Sequence, residues 1–195
     1  MKKKQIKEKK ESLFSKKRTL TYVLGGFIIM LMVASGLNMW KGEKEETYDY
    51  HGLKFLKTEQ GIWAAYKGNE QIALIYSPEE LDKIEMPANV GMLSYSQKIY
   101  LSTDDIKSNA RAMDYFKRKI GITQLKPYAC VEDLPGCENL PLKTCDDATQ
   151  SQAVVVFKKS EETKVSYKAN CLTMEGASEN LIKAIDKLYF ELAGI

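Results

Sequence analysis

The sequence predicts an α+β protein. The expected architecture is an N-terminal transmembrane helix followed by one extracytoplasmic domain with a mixed or antiparallel sheet, two main helices and a disulfide-stapled loop. Three observations carry this. Residues 19–40, TLTYVLGGFIIMLMVASGLNMW, contain no charged residue. All four cysteines follow that run. Beyond residue 50, short β-prone runs are interspersed with stretches of helical period, the pattern of segregated strands and helices.

The uncharged run has 22 residues and, as a helix, reaches about 33 Å, enough for the roughly 30 Å apolar core of a bilayer. Tyr22 and Trp40 stand near its ends, where amphipathic rings favour the headgroup region, and Gly25 and Gly26 are compatible with a membrane helix. Residues 1–18 carry nine Lys/Arg against Glu8 and Glu11, whereas residues 41–49 carry two lysines against four acids. The positive-inside rule then predicts a cytoplasmic tail over 1–18, a span over 19–40, a linker over 41–49 and an extracytoplasmic domain over 50–195. Lipid contact through residues 19–40 is the implied membrane partnership. A cleavable signal peptide is the competing reading, since Val33-Ala34-Ser35-Gly36 offers small residues for cleavage. The long charged tail and the continuation of the apolar run favour an anchor.

After the run about 150 residues remain, enough for one domain to bury a core unaided. Residues 41–195 hold 20 Lys/Arg and 24 Asp/Glu, a net charge of −4, so no basic face recommends nucleic acid. The even set Cys130, Cys137, Cys145 and Cys171, in an extracytoplasmic setting, predicts two disulfides. The gaps of six, seven and twenty-five residues lack the close pairs of a zinc ribbon or a C-x-x-C redox motif. Three pairings are open. The preferred one joins Cys130 to Cys137 and Cys145 to Cys171, which clips the long loop to the strand carrying Cys171.

The elements follow in order. Leu53–Phe55, Ile62–Tyr66 and Gln71–Tyr76 read as strands, the last two around the turn Lys67-Gly68-Asn69-Glu70. Ser77-Pro78-Glu79-Glu80-Leu81 reads as a short helix with a serine cap and proline at its first position. Lys98–Leu101 is a strand, and Ser102–Asp105 cap a helix with Ile106, Ala110, Met113, Phe116 and Ile120 on one face, stopped by Gly121. Residues 123–131 are extended and deliver Cys130. A loop with Pro135, Gly136, Pro141 and two cysteines follows, of the long kind that is stapled or functional. Ala153–Phe157 and a second run from Lys164 to Met174 predict another hairpin. The last helix opens at Ser178 and is closed by Gly194. Its stripe of Leu181, Ile185, Leu188 and Leu192 packs on a sheet while Glu179, Lys183, Asp186 and Lys187 face away.

Catalytic chemistry finds little support. His51 is the one imidazole in the chain, and no nucleophile motif flanks it. Asp104-Asp105 suits helix capping better than metal binding. Asp146-Asp147 lacks calcium-loop spacing, and no glycine-rich phosphate loop follows a strand. No metal, cofactor or small-molecule substrate is implied. Trp63, Tyr66 and Tyr76 read as core residues in preference to an aromatic binding face.

The C-terminal third, from LPLKTCDD through NCLTMEG to IDKLYFELAGI, resembles a group of uncharacterised archaeal single-pass membrane proteins. These share a cysteine-bearing loop, an Asn-Cys strand and a final helix with a Leu-Tyr…Gly-Ile ending. The resemblance covers about 60 residues of the chain. It implies an archaeal cell-surface setting and transfers no activity, ligand or functional residue. The combined expectation is a non-catalytic, membrane-anchored extracytoplasmic domain that binds or scaffolds envelope proteins. A pilin-like filament or secretion-apparatus subunit is the alternative, and a thiol-redox or hydrolytic enzyme stands behind both.

Overall fold

The computed structural model describes residues 22–35, 46–121 and 124–195, in two compact units, Met1–Glu45 and Glu46–Ile195. In the first unit, helix α1 covers residues 22–35. At 1.5 Å per residue this is about 21 Å, short of a roughly 30 Å hydrocarbon core. No helix of the described residues is long and apolar enough to cross a membrane. The expected transmembrane helix over 19–40 is thereby corrected: the helix described within that run, residues 22–35, is too short for a span. Residues 19–21 and 36–40 of that run lie outside the described residues, as do the tail 1–18 and residues 41–45 of the linker.

The second unit is α+β with two sheets. β1 (Thr47–Tyr50), β2 (Leu53–Lys57), β3 (Trp63–Lys67) and β4 (Glu70–Leu74) form an antiparallel meander in sequential order, and β1 takes in Thr47–Asp49 of the stretch read as linker. One face alternates inward with Phe55, Ala65, Ile72 and Leu74, all buried, as a one-sided antiparallel sheet requires. The chain then runs through α2 (Pro78–Leu81) and a 3-10 turn (Val90–Tyr95). Ser77 and Glu80 close the capping box around α2, with Pro78 at its start.

The second sheet contains β5 (Lys98–Thr103), β6 (Tyr128–Cys130), β7 (Gln152–Lys159), β8 (Lys164–Lys168) and β9 (Cys171–Gly176), in the order β6-β5-β7-β9-β8. β8 alone runs antiparallel to its neighbour. β7 is central and covered on both sides. Ala153, Val155 and Phe157 face one core, and Val154 and Val156 face another with Cys171. Two-sided burial is why this strand reads as a continuous apolar run.

The hairpin expected between Ala153–Phe157 and Lys164–Met174 is not formed. The second run breaks at Ala169-Asn170, whose φ values are +49° and +61°. Two consecutive left-handed residues between the pair Lys168↔Cys171 make a two-residue hairpin turn of the kind that matches strand twist. β8 therefore lies at the sheet edge, and β9 returns between it and β7, parallel to β7 from Val154↔Cys171 to Lys159↔Gly176.

α3 (Ile106–Lys119) and α4 (Ser178–Leu192) pack side by side against the second sheet. Asp105 caps α3 by accepting from the Ser108 amide at 3.1 Å. Its buried stripe is Asn109, Ala112, Met113 and Phe116, rotated from the predicted face so that Ala110 is exposed. α4 departs further from expectation. Asp186 is fully buried and Lys187 is 9% exposed, because the meander covers the helix side that was expected to face away. Phe190 joins the core of the first sheet with Phe55, while Leu181, Ile185 and Leu188 join that of the second. α4 thus stands between the two sheets. Its end is held by Gly194 in the left-handed conformation (φ +67°). Lys67 of β3 donates to the carbonyls of Ala193 (2.7 Å) and Gly194 (3.0 Å).

The buried carboxylate is fully employed. Asp186 Oδ2 accepts from the amides of Ile75 (2.8 Å) and Tyr76 (3.4 Å), where the chain leaves β4. Oδ1 accepts from the Tyr115 hydroxyl and lies 3.8 Å from Lys119 Nζ, both on α3. Burial pushes the Asp186 carboxyl above its usual range, with the Tyr115 hydroxyl, Lys119 and the two amides pulling it back. Burial likewise pulls Lys119 below the usual lysine value. Next to it, α2 supplies Glu80 to Lys183 and Asp82 to Lys187, each at 3.4 Å. Asp186→Leu leaves the Ile75 and Tyr76 amides and the Tyr115 hydroxyl without an acceptor and Lys119, which also donates to Ala73 O, without its counter-charge, and is expected to lower stability by about 3–5 kcal/mol. Asp186→Asn, which retains an acceptor for the amides, should cost less. Urea denaturation checks both, and a loss below about 1 kcal/mol for Asp186→Leu would remove the hub from the account.

The tyrosines add an alkaline limit. Burial, followed by the Glu179 carboxylate 3.3 Å away, holds the Tyr76 hydroxyl up at about 12, against an ordinary 10.0. Burial and Asp114 do the same for Tyr128, also at about 12. Between these values the unfolded chain has already released protons that the folded chain retains, so stability must fall as pH rises. Urea midpoints measured from about pH 9 upward should decline toward about pH 12, less steeply in Tyr76→Phe. A flat profile in the parent protein contradicts the assignment.

Candidate binding site

The residues singled out in the sequence are dispersed. His51 occupies the turn between β1 and β2 with φ +46°, and its ring stacks on Tyr50 at 4.1 Å. Trp63 and Tyr76 pack against the core beneath the meander, while Tyr66 points from the opposite face and is 66% exposed. The three aromatics therefore form no common face. Asp104 accepts from Lys159 N (3.2 Å), and Asn109 Nδ2 donates to Thr103 Oγ1 (3.0 Å) and to Phe157 O (3.2 Å). These contacts tie the carboxyl ends of β5 and β7 together. Asn109 Oδ1 is buried there without a partner. Asp147 accepts from the Thr144 amide (2.8 Å) and Lys143 (3.1 Å), closing a capping box on the short 3-10 turn Cys145–Asp147. Among the described residues no three His, Cys, Asp or Glu side chains gather as a metal site.

The four cysteines form two disulfides, Cys130–Cys137 and Cys145–Cys171. The first closes a tight loop behind β6, whose outer edge is covered by residues 141–143. There the Cys130 amide donates to Pro141 O (3.0 Å), and Lys143 N donates to Cys130 O (2.8 Å). The loop then crosses the face of the sheet opposite the helices. Ser102 of β5 donates to Lys143 O at 2.6 Å, and Val131 and Ala148 pack on Val154 and Val156. The second bridge ends this crossing by fastening Cys145 to the first residue of β9.

That bridge frames a cleft of about 850 Å³ at the amino ends of the parallel strands. One wall is Ala148-Thr149-Gln150, three residues beyond Cys145. The facing wall is Tyr167 and the turn Ala169-Asn170, which abuts Cys171. Asn89, Met92 and Tyr95 around the 3-10 turn Val90–Tyr95 supply the third side. Asn170 knits the walls together, its Nδ2 donating to Thr149 O (2.7 Å) and Ser96 Oγ (2.9 Å) and its Oδ1 accepting from Tyr167 (2.9 Å). Ala169 holds a positive φ that disfavours a side chain by roughly 1–2 kcal/mol, and such strain gathers at functional sites. Tyr95 and Met92 nevertheless stand 78% and 57% exposed at the rim.

A second, more apolar cleft of about 400 Å³ lies between α3 and the Cys130–Cys137 loop, lined by Ile106, Ala110, Met113 and Leu140. It explains why Ile106 and Ala110 fall outside the buried stripe of α3.

The 850 Å³ cleft was not legible in the sequence. Residues 87–97 have no period of either kind, and the run Lys164–Met174 alternates as one strand. The available signal was Asn170, a residue depleted in strands and tolerant of the left-handed conformation. Comparison of the chain with protein-family models, curated proteins and solved structures finds no match.

Replacing both Cys145 and Cys171 by alanine opens a loop of sequence separation 26, which in the chain-entropy treatment lowers stability by about 3–4 kcal/mol. Melting under oxidising conditions measures this, and an unchanged midpoint would contradict a stapling role.

Proposed function

We propose that residues 46–195 act as a non-catalytic binding module of the cell envelope, placed outside the cytoplasm, and that the cleft between Thr149, Asn170 and Tyr95 is its recognition surface. The observation that carries this reading is the second disulfide. It fastens Cys145, three residues before the wall Ala148-Thr149-Gln150, to Cys171, the residue after the facing turn Ala169-Asn170, so the bond that staples the fold also anchors both cleft walls. Two disulfides using every cysteine support an oxidising compartment. A preformed concavity of this size with a few convergent polar groups supports ligand binding. The polar groups there are amides and hydroxyls, some arranged by Asn170 and others free to meet a ligand, which suits holding a ligand rather than transferring a proton.

Two measurements test the proposal. Alkylation of the protein in intact cells, followed by its intact mass before and after reduction, should show no modified cysteine until reductant is added. Four alkylated thiols at the outset would refute the extracytoplasmic placement. A photo-crosslinking amino acid in place of Met92 should give adducts in intact cells, whereas the same group in place of the exposed Glu59 on the meander should not. Equal labelling at both positions, or none at Met92, would refute the cleft as a recognition surface.

A further inference from the structure

Resting on that reading of the cleft, we infer that its ligand is a neutral, hydroxyl-rich oligosaccharide. The first ground is charge. No Asp, Glu, Lys, Arg or His lines the cleft, although 28% of the chain is charged. An anionic or cationic ligand would surrender its hydration there without meeting a counter-charge, which is unfavourable.

The second ground is unspent polarity. Asn170 is fully engaged, but among the described residues the side chains of Asn89 and Gln150 and the hydroxyl of Tyr95 make no hydrogen bond within the protein, and all three residues are exposed. A purely apolar ligand would cover these groups and leave them unpaired, at about 1–3 kcal/mol each. Sugar hydroxyls pair with amides as both donors and acceptors. The apolar C–H face of a sugar ring matches Tyr95, a large aromatic ring 78% exposed at the rim.

The third ground separates a glycan from a peptide. Extended peptides are commonly captured along a free sheet edge. The β6 edge is already covered by residues 141–143. The β8 edge carries Lys164 and Lys168 at its ends, the charged residues that protect edges against added strands. The cleft offers rings and side-chain amides instead of a backbone ladder.

The test titrates the full-length chain with maltohexaose, cellohexaose, mannohexaose and N-acetylchitohexaose by calorimetry, with oligogalacturonate as an anionic control. At least one neutral oligosaccharide should bind with a Kd of about 1 mM or tighter, and the anionic control should not. Tyr95→Ala and Gln150→Ala should each weaken that binding about tenfold or more, with the melting midpoint unchanged because both positions are exposed. Three results overturn the inference: no neutral oligosaccharide bound at about 10 mM, binding undiminished in both variants, or tighter binding of oligogalacturonate. Failure here is distinguishable from failure of the binding-module reading. A Met92 crosslink to a protein, with no sugar bound, rejects the glycan and retains the module, whereas absence of both rejects both.

Discussion

The fold depends on a carboxylate that no solvent reaches. Asp186 gathers the chain leaving β4, the Tyr115 hydroxyl and the Lys119 ammonium around one turn of α4. Removing a carboxylate from water is expensive and is tolerated only when nearly every lone pair is met. Here the donors come from two separate parts of the chain and the carboxylate from a third. The meander, α3 and α4 must therefore be assembled together for the charge to be satisfied, which makes the group a specifier of arrangement more than a source of net stability. Exposed ion pairs elsewhere, such as Lys57 with Glu46, belong to a class worth about 0–1 kcal/mol each.

Around that hub, the two faces of the second sheet are closed by different means. On one, α3 and α4 bury a continuous apolar core. On the other, a segment with almost no regular structure lies over β5 and β7, held by two disulfides and by bonds such as Ser102 to Lys143. A cover without periodic secondary structure has few cooperative contacts of its own, so covalent staples replace them. The ends of that cover are rigid as a result. The cleft at the amino ends of the strands takes its walls from such a fixed end and from a strained turn beside Cys171.

Much of the local structure was legible in order. The serine cap and proline start of α2, the Gly-Asn turn of the meander, the triple-valine core of β7 and the glycine closing α4 all follow from short-range rules. Their causes act within a few residues: a missing proline N–H, a positive φ, an alternating side-chain direction. The disulfides were also open to expectation, since four cysteines at these spacings suit little else. Three of the departures share a different origin. The sequence of α4 marks this face as polar because Asp186 takes its partners from α3 and from residues 75–76 after β4, and Lys187 takes one of its two from Asp82 after α2, distant elements that helical period cannot register. The run through Ala169-Asn170 kept its alternation across a turn, so period alone continued the strand. The uncharged stretch 19–40 predicts a span by composition, yet among the described residues no helix is long and apolar enough to cross a membrane, and composition alone does not set helix length.

By itself, then, the sequence determined the α+β class of residues 46–195 and the identity of most strands and helices, because each of these is decided by the chemistry of neighbouring residues. Only the tertiary structure decided that β9 inserts between β7 and β8, that α4 lies between two sheets with a charge at its centre, and that Asn89, Tyr95, Gln150 and Asn170 meet around one cleft. Those residues lie up to 81 positions apart, from Asn89 to Asn170. Their meeting is fixed by the sheet order and by the Cys145–Cys171 bridge, and neither leaves a periodic mark on the chain.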